Sequence, residues 1–183
     1  MKKTNIFVCS LLACCASLPL VARQAHEDGQ KQVGAKAIAI LSPTKGSTVS
    51  GIVTFEATEK GIRVVADVKG LTPGKHGFHV HDFGDCSADD ASSAGGHFNP
   101  SGMPHSMPSS EKRHAGDMGN IEADKDGKAH LDYVDMAMTM TGEQTIVGRA
   151  VIVHEKEDDL ETQPTGAAGA RLACGVIGVA KPK

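Results

Sequence analysis

Seven side chains in this sequence share one chemistry: His79, His81, His97, His105, His114, Asp117 and, farther on, His154. Imidazole nitrogens and carboxylate oxygens are ligands for zinc and copper, and seven exceed what one tetrahedral ion can use. The number suits two adjacent ions that share a ligand. In Gly77-Phe78-His79-Val80-His81 the residues alternate as in a β-strand, so His79 and His81 project from one face and can grip one ion together. His154 ends the apolar run Ala150-Val151-Ile152-Val153, at a strand terminus from which it can reach that pair. An all-imidazole set of this kind favours Cu(II) over magnesium or calcium. His97, His105, His114 and Asp117 come from a turn-rich stretch and supply three nitrogens and one oxygen, a closed tetrahedral set for zinc. Pro100, Pro104 and Pro108 stiffen that stretch and lower the entropy lost on ordering it.

These residues need a rigid frame. Short β-rich runs separated by turn residues cover Ala35–Leu41, Gly51–Ala57, Ile62–Val68, Lys75–His81, Asn120–Ala123, Lys128–Tyr133, Thr145–His154 and Cys174–Ala180. Asp126-Gly127 reads as a tight hairpin turn, and no long amphipathic helix is present. Eight such runs predict an all-β, antiparallel sandwich or flattened barrel. Two long segments interrupt it, Asp82–Gly119 and Glu155–Leu172, and loops of that length usually carry function. The Met136–Met140 stripe reads as strand packing, with Cu(I) loading as the alternative.

The runs Gly77-Phe78-His79-Val80-His81, Gly96-His97-Phe98-Asn99-Pro100, Arg113-His114-Ala115-Gly116-Asp117, Val153-His154-Glu155 and Arg171-Leu172-Ala173-Cys174-Gly175-Val176-Ile177-Gly178 resemble copper/zinc superoxide dismutase. The resemblance extends from about Ala35 to Ala180, with the motifs in the family's order. It implies an eight-stranded Greek-key β-sandwich and two resident metals. Copper would be held by His79, His81, His97 and His154, and zinc by His97, His105, His114 and Asp117, with His97 bridging as an imidazolate. Arg171 would guide the substrate anion, Asp158 would link a copper ligand to a zinc ligand, and Thr165 would line the channel. The implied reaction converts two superoxide ions to oxygen and hydrogen peroxide. Simpler readings stand beside these. Asp158-Asp159 could be a solvated acidic pair, Arg171 a structural arginine, and the whole chain a copper/zinc buffer or metal-delivery protein on the same scaffold. His76 reads as a strand-end hydrogen bonder, and His26 and His130 as exposed.

Lys2-Lys3 followed by an apolar stretch from Ile6 to Leu20 reads as an export leader, Met1–Ala22, too short for a confident membrane span. Residues 23–34 then form a flexible mature N-terminus and 35–183 the catalytic domain. Leu11-Leu12-Ala13-Cys14 offers a second possibility, a lipid anchor at Cys14. Three cysteines lie in the leader, which leaves Cys86 and Cys174 as an even pair in an exported chain and argues for a disulfide, with thiol metal ligation as the rival. Cys86 after Gly84-Asp85 resembles the family's bacterial members, so the expected location is the periplasm or the exterior. Without Lys2 and Lys3 the chain carries 17 basic and 22 acidic residues, a net charge of −5. An anionic substrate therefore requires a locally positive channel. The sequence departs from the family's eukaryotic pattern here: Thr162-Gln163-Pro164-Thr165 replaces a longer charged loop, and no lysine lies between Asp158 and Arg171. No basic run, one tyrosine and no tryptophan speak against nucleic-acid binding. The strand faces show no clear apolar patch, so monomer and homodimer both stay open.

Overall fold

Alternation decides the architecture. In the computed structural model, which describes residues 33–181, the strands are β1 (Lys36–Pro43), β2 (Ser50–Thr58), β3 (Gly61–Lys69), β4 (Gly74–His81), β5 (Asp117–Ala123), β6 (Lys128–Asp135), β7 (Ala150–His154) and β8 (Arg171–Val179). They close into an antiparallel barrel in the order β1-β2-β3-β6-β5-β4-β7-β8. β4, β5 and β6 follow one another, and β7 returns to lie beside β4, which is a Greek-key connection. Ala37, Ala39 and Leu41 of β1, Val53, Phe55 and Ala57 of β2, and Ile62, Val64, Ala66 and Val68 of β3 point inward at every second position and are buried. Among the described residues, no helix is long and apolar enough to cross a membrane.

β4 and β7 break this half-buried pattern. From His76 to His81 and from Ala150 to His154 every residue is buried, so both faces of these strands are covered. The cover comes from the two long connections, now 82–116 and 155–170. Three backbone bonds seat the first one: Phe98 N–H donates to Val80 O, Val80 N–H to Gly116 O, and Gly116 N–H to Phe98 O. A Cβ on Gly116 would lie 2.2 Å from Val80 O, so only glycine allows this approach. Cys86 and Cys174 form a disulfide between the same connection and β8. Closing a loop of 88 residues stabilises by about 4–5 kcal/mol in the chain-entropy account.

The structure moves several expected boundaries. β5 begins three residues early, at Asp117, so a metal-ligand candidate is anchored in a strand rather than a loop. The expected strand Thr145–His154 keeps only Ala150–His154. Arg149 causes the break: its backbone turns back to Ile146 O, and its side chain donates to Thr145 O and Asp82 O. Met136–Met140 is irregular rather than strand, because β6 ends at Asp135, whose carboxylate caps Ala137 N and Met138 N. Met138 and Met140 are buried there while Met136 is exposed. Asp126-Gly127 forms the expected tight turn. His76 is buried and bonds His154 O and Thr72 O, and exposed His130 pairs with Asp67. Gly34 N–H donates to Ala57 O, so the barrel takes in part of the segment 23–34. The leader Met1–Ala22, Cys14 and His26 lie outside the described residues.

The outer faces are less featureless than the sequence implies. Ile40 pairs with Ile52 and, on the register that joins Ala39 to Ile177, stands level with Val176. All three are exposed, as are Phe83 and Val179.

Candidate metal centre

β4 supplies His79 and His81, β5 supplies Asp117, β7 supplies His154, and the first long connection supplies His97, His105 and His114. All seven are buried. They fall into two groups, His79–His81–His97–His154 and His97–His105–His114–Asp117, each with one donor atom per residue inside a 4.8 Å circle. His97 belongs to both. The sequence set is thus brought together entire.

The outer nitrogens of the first group are fixed by hydrogen bonds. His81 Nδ1–H donates to Gly95 O at 2.9 Å and His154 Nδ1–H to Gly169 O at 3.3 Å. His79 Nε2–H donates to Asp158 Oδ2 at 2.7 Å. Carbonyls and ionised carboxylates only accept, so each neutral ring must turn a bare lone pair inward. His81 Nε2 and His154 Nε2 then face each other at 3.3 Å, lone pair against lone pair. His79 Nδ1 and His97 Nε2 are buried with no hydrogen-bond partner. Four convergent lone pairs without a donor among them describe the donor set of a cation.

The second group converges on one oxygen. The Nδ1 atoms of His97, His105 and His114 lie 2.8, 3.0 and 3.2 Å from Asp117 Oδ1. Ligands about 2.0 Å from a tetrahedral zinc stand about 3.3 Å apart, so this cluster is nearly at metal spacing. Asp117 Oδ2 is occupied by Ser106 N–H and His114 N–H, which leaves Oδ1 to face the nitrogens.

Asp158 ties the groups together. Its Oδ2 takes the His79 ring and its Oδ1 takes His105 Nε2–H at 2.9 Å. Outer carboxylates of this kind set ring orientation and basicity. Asn120 of β5 grips the Asp158 backbone at both ends, accepting from its N–H and donating to its C=O. The residue is therefore a built part of the site and not a solvated acid, whereas neighbouring Asp159 is exposed. Gly166 sits against this contact at φ +66°, where a Cβ would strike Asp158 Oδ1. Thr165, beside it, is half-buried.

Arg171 opens β8 in register with His154. Its guanidinium donates to Ala91 O and, at 2.6 Å, to Gly95 O, the carbonyl that also orients His81. Sequence reasoning did not single out the supports around these groups. Arg113 is buried, donates to His114 O, Ala115 O and Asp117 O, and pairs with Asp135 at 2.6 Å. Arg149 lies 3.6 Å from the centroid of Phe98, next to His97. Both are basic residues near a motif, a signal too common to stand out before the fold shows them buried or stacked.

Such a pair of adjoining metal-ligand clusters in the wall of a Greek-key barrel defines a binuclear metalloprotein. The chain matches the family model described as copper/zinc superoxide dismutase over residues 49–177. It is 45% identical over 154 residues to a Cu-Zn superoxide dismutase of Onchocerca volvulus, covering 78% of this chain and 95% of the relative. An extracellular Cu-Zn superoxide dismutase of Brugia pahangi is 42% identical, with 79% and 76% covered. The solved structure of the clock protein EA4 superposes with a TM-score of 0.74 at 41% identity, covering 79% of this chain and 94% of that one. The chain belongs to the copper/zinc superoxide dismutase family and is a superoxide dismutase. The named organisms are eukaryotes, so the comparisons support the family without its bacterial exported branch.

Electrostatics agree with metal donors. Burial, reinforced by the neighbouring His79, lowers the pKa of His97 to about 4 and that of His154 to about 3. Burial also lowers His79 and lowers His81 strongly, so the first group is neutral at pH 7 and free to donate. His105 differs: burial opposes its proton, but hydrogen bonds to Asp117 and Asp158 outweigh that and raise it to about 9. The signs give the metal-free protein a stability maximum near neutrality. His97 and His154 stay neutral in the fold but take protons when unfolded, so stability falls as pH drops below about 6.5 toward 4 and 3. The contribution of His105 is complete below about 6.5 and is lost as pH rises toward 9. Melting temperatures of chelator-treated protein from pH 4 to 10 should trace this dome; a curve rising steadily into acid would contradict the assignment.

Proposed function

We propose that His79, His81, His97 and His154 hold copper, that His97, His105, His114 and Asp117 hold zinc, and that Arg171 guides superoxide to the copper side. The supporting observation is the dual membership of His97, whose Nδ1 faces one group and whose Nε2, buried without a partner, faces the other. Such a ring would serve both ions as an imidazolate, a form that two flanking cations would favour. When bound, copper supplies a one-electron couple and zinc a fixed charge. The chain's own residues supply the rest. His97 Nε2 can hold a proton for the peroxide product. Arg171 keeps a permanent charge and uses two of its five N–H donors on carbonyls, leaving others to meet a small anion. Thr165, half-buried in the second long connection, would line the channel. A metal buffer has no use for an arginine braced in this way beside copper ligands.

We propose further that the chain is exported: residues 1–22 as leader and 35–183 as the catalytic domain, with 23–34 joining them. The Cys86–Cys174 disulfide and the extracellular relative support export to an oxidising compartment. The bacterial, periplasmic form of this reading rests on Cys86 directly following Gly84-Asp85. Self-association as a homodimer is supported by the outward row Ile52, Ile40 and Val176, three exposed apolar side chains brought side by side on adjacent strands by register.

Three measurements check these proposals. In Arg171→Ala, kcat/KM for superoxide should fall about a hundredfold with both metals still bound, and Arg171→Lys should recover part of it. An unchanged rate would remove Arg171 from the channel. Intact mass of protein from an exporting host should show a chain starting at Arg23, or a lipid-modified Cys14; retention of Met1 would refute export. Sedimentation equilibrium should give a dimer that Ile40→Lys converts to monomer, and a monomeric native protein at micromolar concentration would rule out self-association.

A further inference from the structure

The second long connection reaches across to the first through one side chain. Gln163 Oε1 accepts from His105 N–H at 2.8 Å, and Gln163 Nε2 donates to His105 O at 2.8 Å. One side-chain amide thus satisfies both backbone groups of a zinc-ligand residue 58 positions away. His105 needs this because Pro104 and the irregular backbone around it give no strand partner. The same connection also reaches the ring of His105, through Asp158 Oδ1 at 2.9 Å. His105 is therefore held at three points by residues 158–163, and its only remaining ring atom is the one that faces Asp117.

The connection is ordered from the same end. Asp158 Oδ1 accepts from Leu160 N–H, Asp159 caps Glu161 and Thr162, and Gly166 N–H donates to Thr162 O. Gly166 closes the turn against the Asp158–His105 contact, and Thr165 precedes it. The whole segment 159–165, Gln163 included, is exposed or half-buried, and it has no buried apolar anchor of its own. Its order must come from the polar ties to His105.

We propose that Gln163 is a positioning residue for the zinc site, coupling zinc occupancy to the order of the connection that carries Thr165. This rests on the assignment of His105 to zinc. The coupling is reciprocal: zinc fixes His105 and so fixes Gln163, and a connection fixed by Gln163 presents His105 to zinc. In this chain the short sequence Thr162-Gln163-Pro164-Thr165 achieves by one amide what a longer loop could do by packing.

The test compares the full-length wild-type protein with Gln163→Ala and with Gln163→Met, which keeps the side-chain length without the amide. Zinc affinity is read by chelator competition, the ligand field by the visible spectrum of cobalt placed in the zinc site, and loop order by hydrogen exchange of residues 159–168. Both variants should bind zinc about tenfold more weakly, as loss of an outer support does elsewhere, with copper affinity within twofold of wild type. In wild type, zinc removal should speed exchange across 159–168; in the variants, exchange should be fast whether or not zinc is present. Zinc affinity within twofold of wild type, or equal losses for copper and zinc, overturns the role of Gln163. Failure of wild type itself to take one zinc or give a four-coordinate cobalt spectrum overturns the zinc assignment instead.

Discussion

Four imidazole lone pairs pointed at one another underlie this structure. A protein interior tolerates buried polar atoms only when they are paired, and here the pairing is arranged so that it cannot be completed from within. Gly95 O, Gly169 O and Asp158 occupy the outer nitrogens of His81, His154 and His79, and by doing so force the inner ones to face inward without protons. The second group reaches the same end with charge. Asp117 Oδ1 gathers three ring nitrogens that repel one another unless a cation or proton lies between them. Stability given up by such an arrangement in the metal-free chain returns as affinity when ions bind.

The rest of the fold is the means of holding those directions. β4 and β7 are adjacent and carry three of the histidines, but a bare strand face would leave them wet. The two long connections cover that face, and each is tied at several places: the disulfide, the Phe98–Val80–Gly116 bonds and Arg113 for the first, Asn120 on Asp158 and Gln163 on His105 for the second. Backbone carbonyls do double duty. Gly95 O receives both the imidazole of His81 and the guanidinium of Arg171, so that positive charge is set relative to the ring beside it by one shared atom.

Sequence reading recovers different parts of this for different physical reasons. The ligands are legible because their chemistry is rare and their spacing on β4 follows the strand period, which needs no knowledge of the fold. Strands β1 to β3 are legible because one face is buried and the other wet. The expected strand over 145–154 is half wrong because apolar residues of a covered connection look like those of a strand; Ile146 is buried, yet Arg149 turns the chain beside it. The supports escape altogether. Asn120, Gln163 and Arg149 act by donating to, or accepting from, backbone groups distant in sequence, and Arg113 pairs with the carboxylate of Asp135 on another element; nothing in their local pattern records those partners. The outer apolar row is hidden similarly, since Ile40, Ile52 and Val176 become neighbours only through register.

Charge closes the argument. The chain is net negative, yet the carboxylates in and beside the metal-ligand clusters, Asp117 and Asp158, are buried and engaged by imidazoles and backbone N–H groups. A carboxylate neutralised by its own hydrogen bonds in the interior contributes little field outside it, whereas the guanidinium of Arg171 is only half-buried. Burial chiefly, and then the neighbouring imidazoles, lower the proton affinity of His81 and His154, and the charge of Arg171 acts in the same direction. One positive charge, placed by two carbonyls, thus stands beside the imidazoles with no lysine between Asp158 and Arg171.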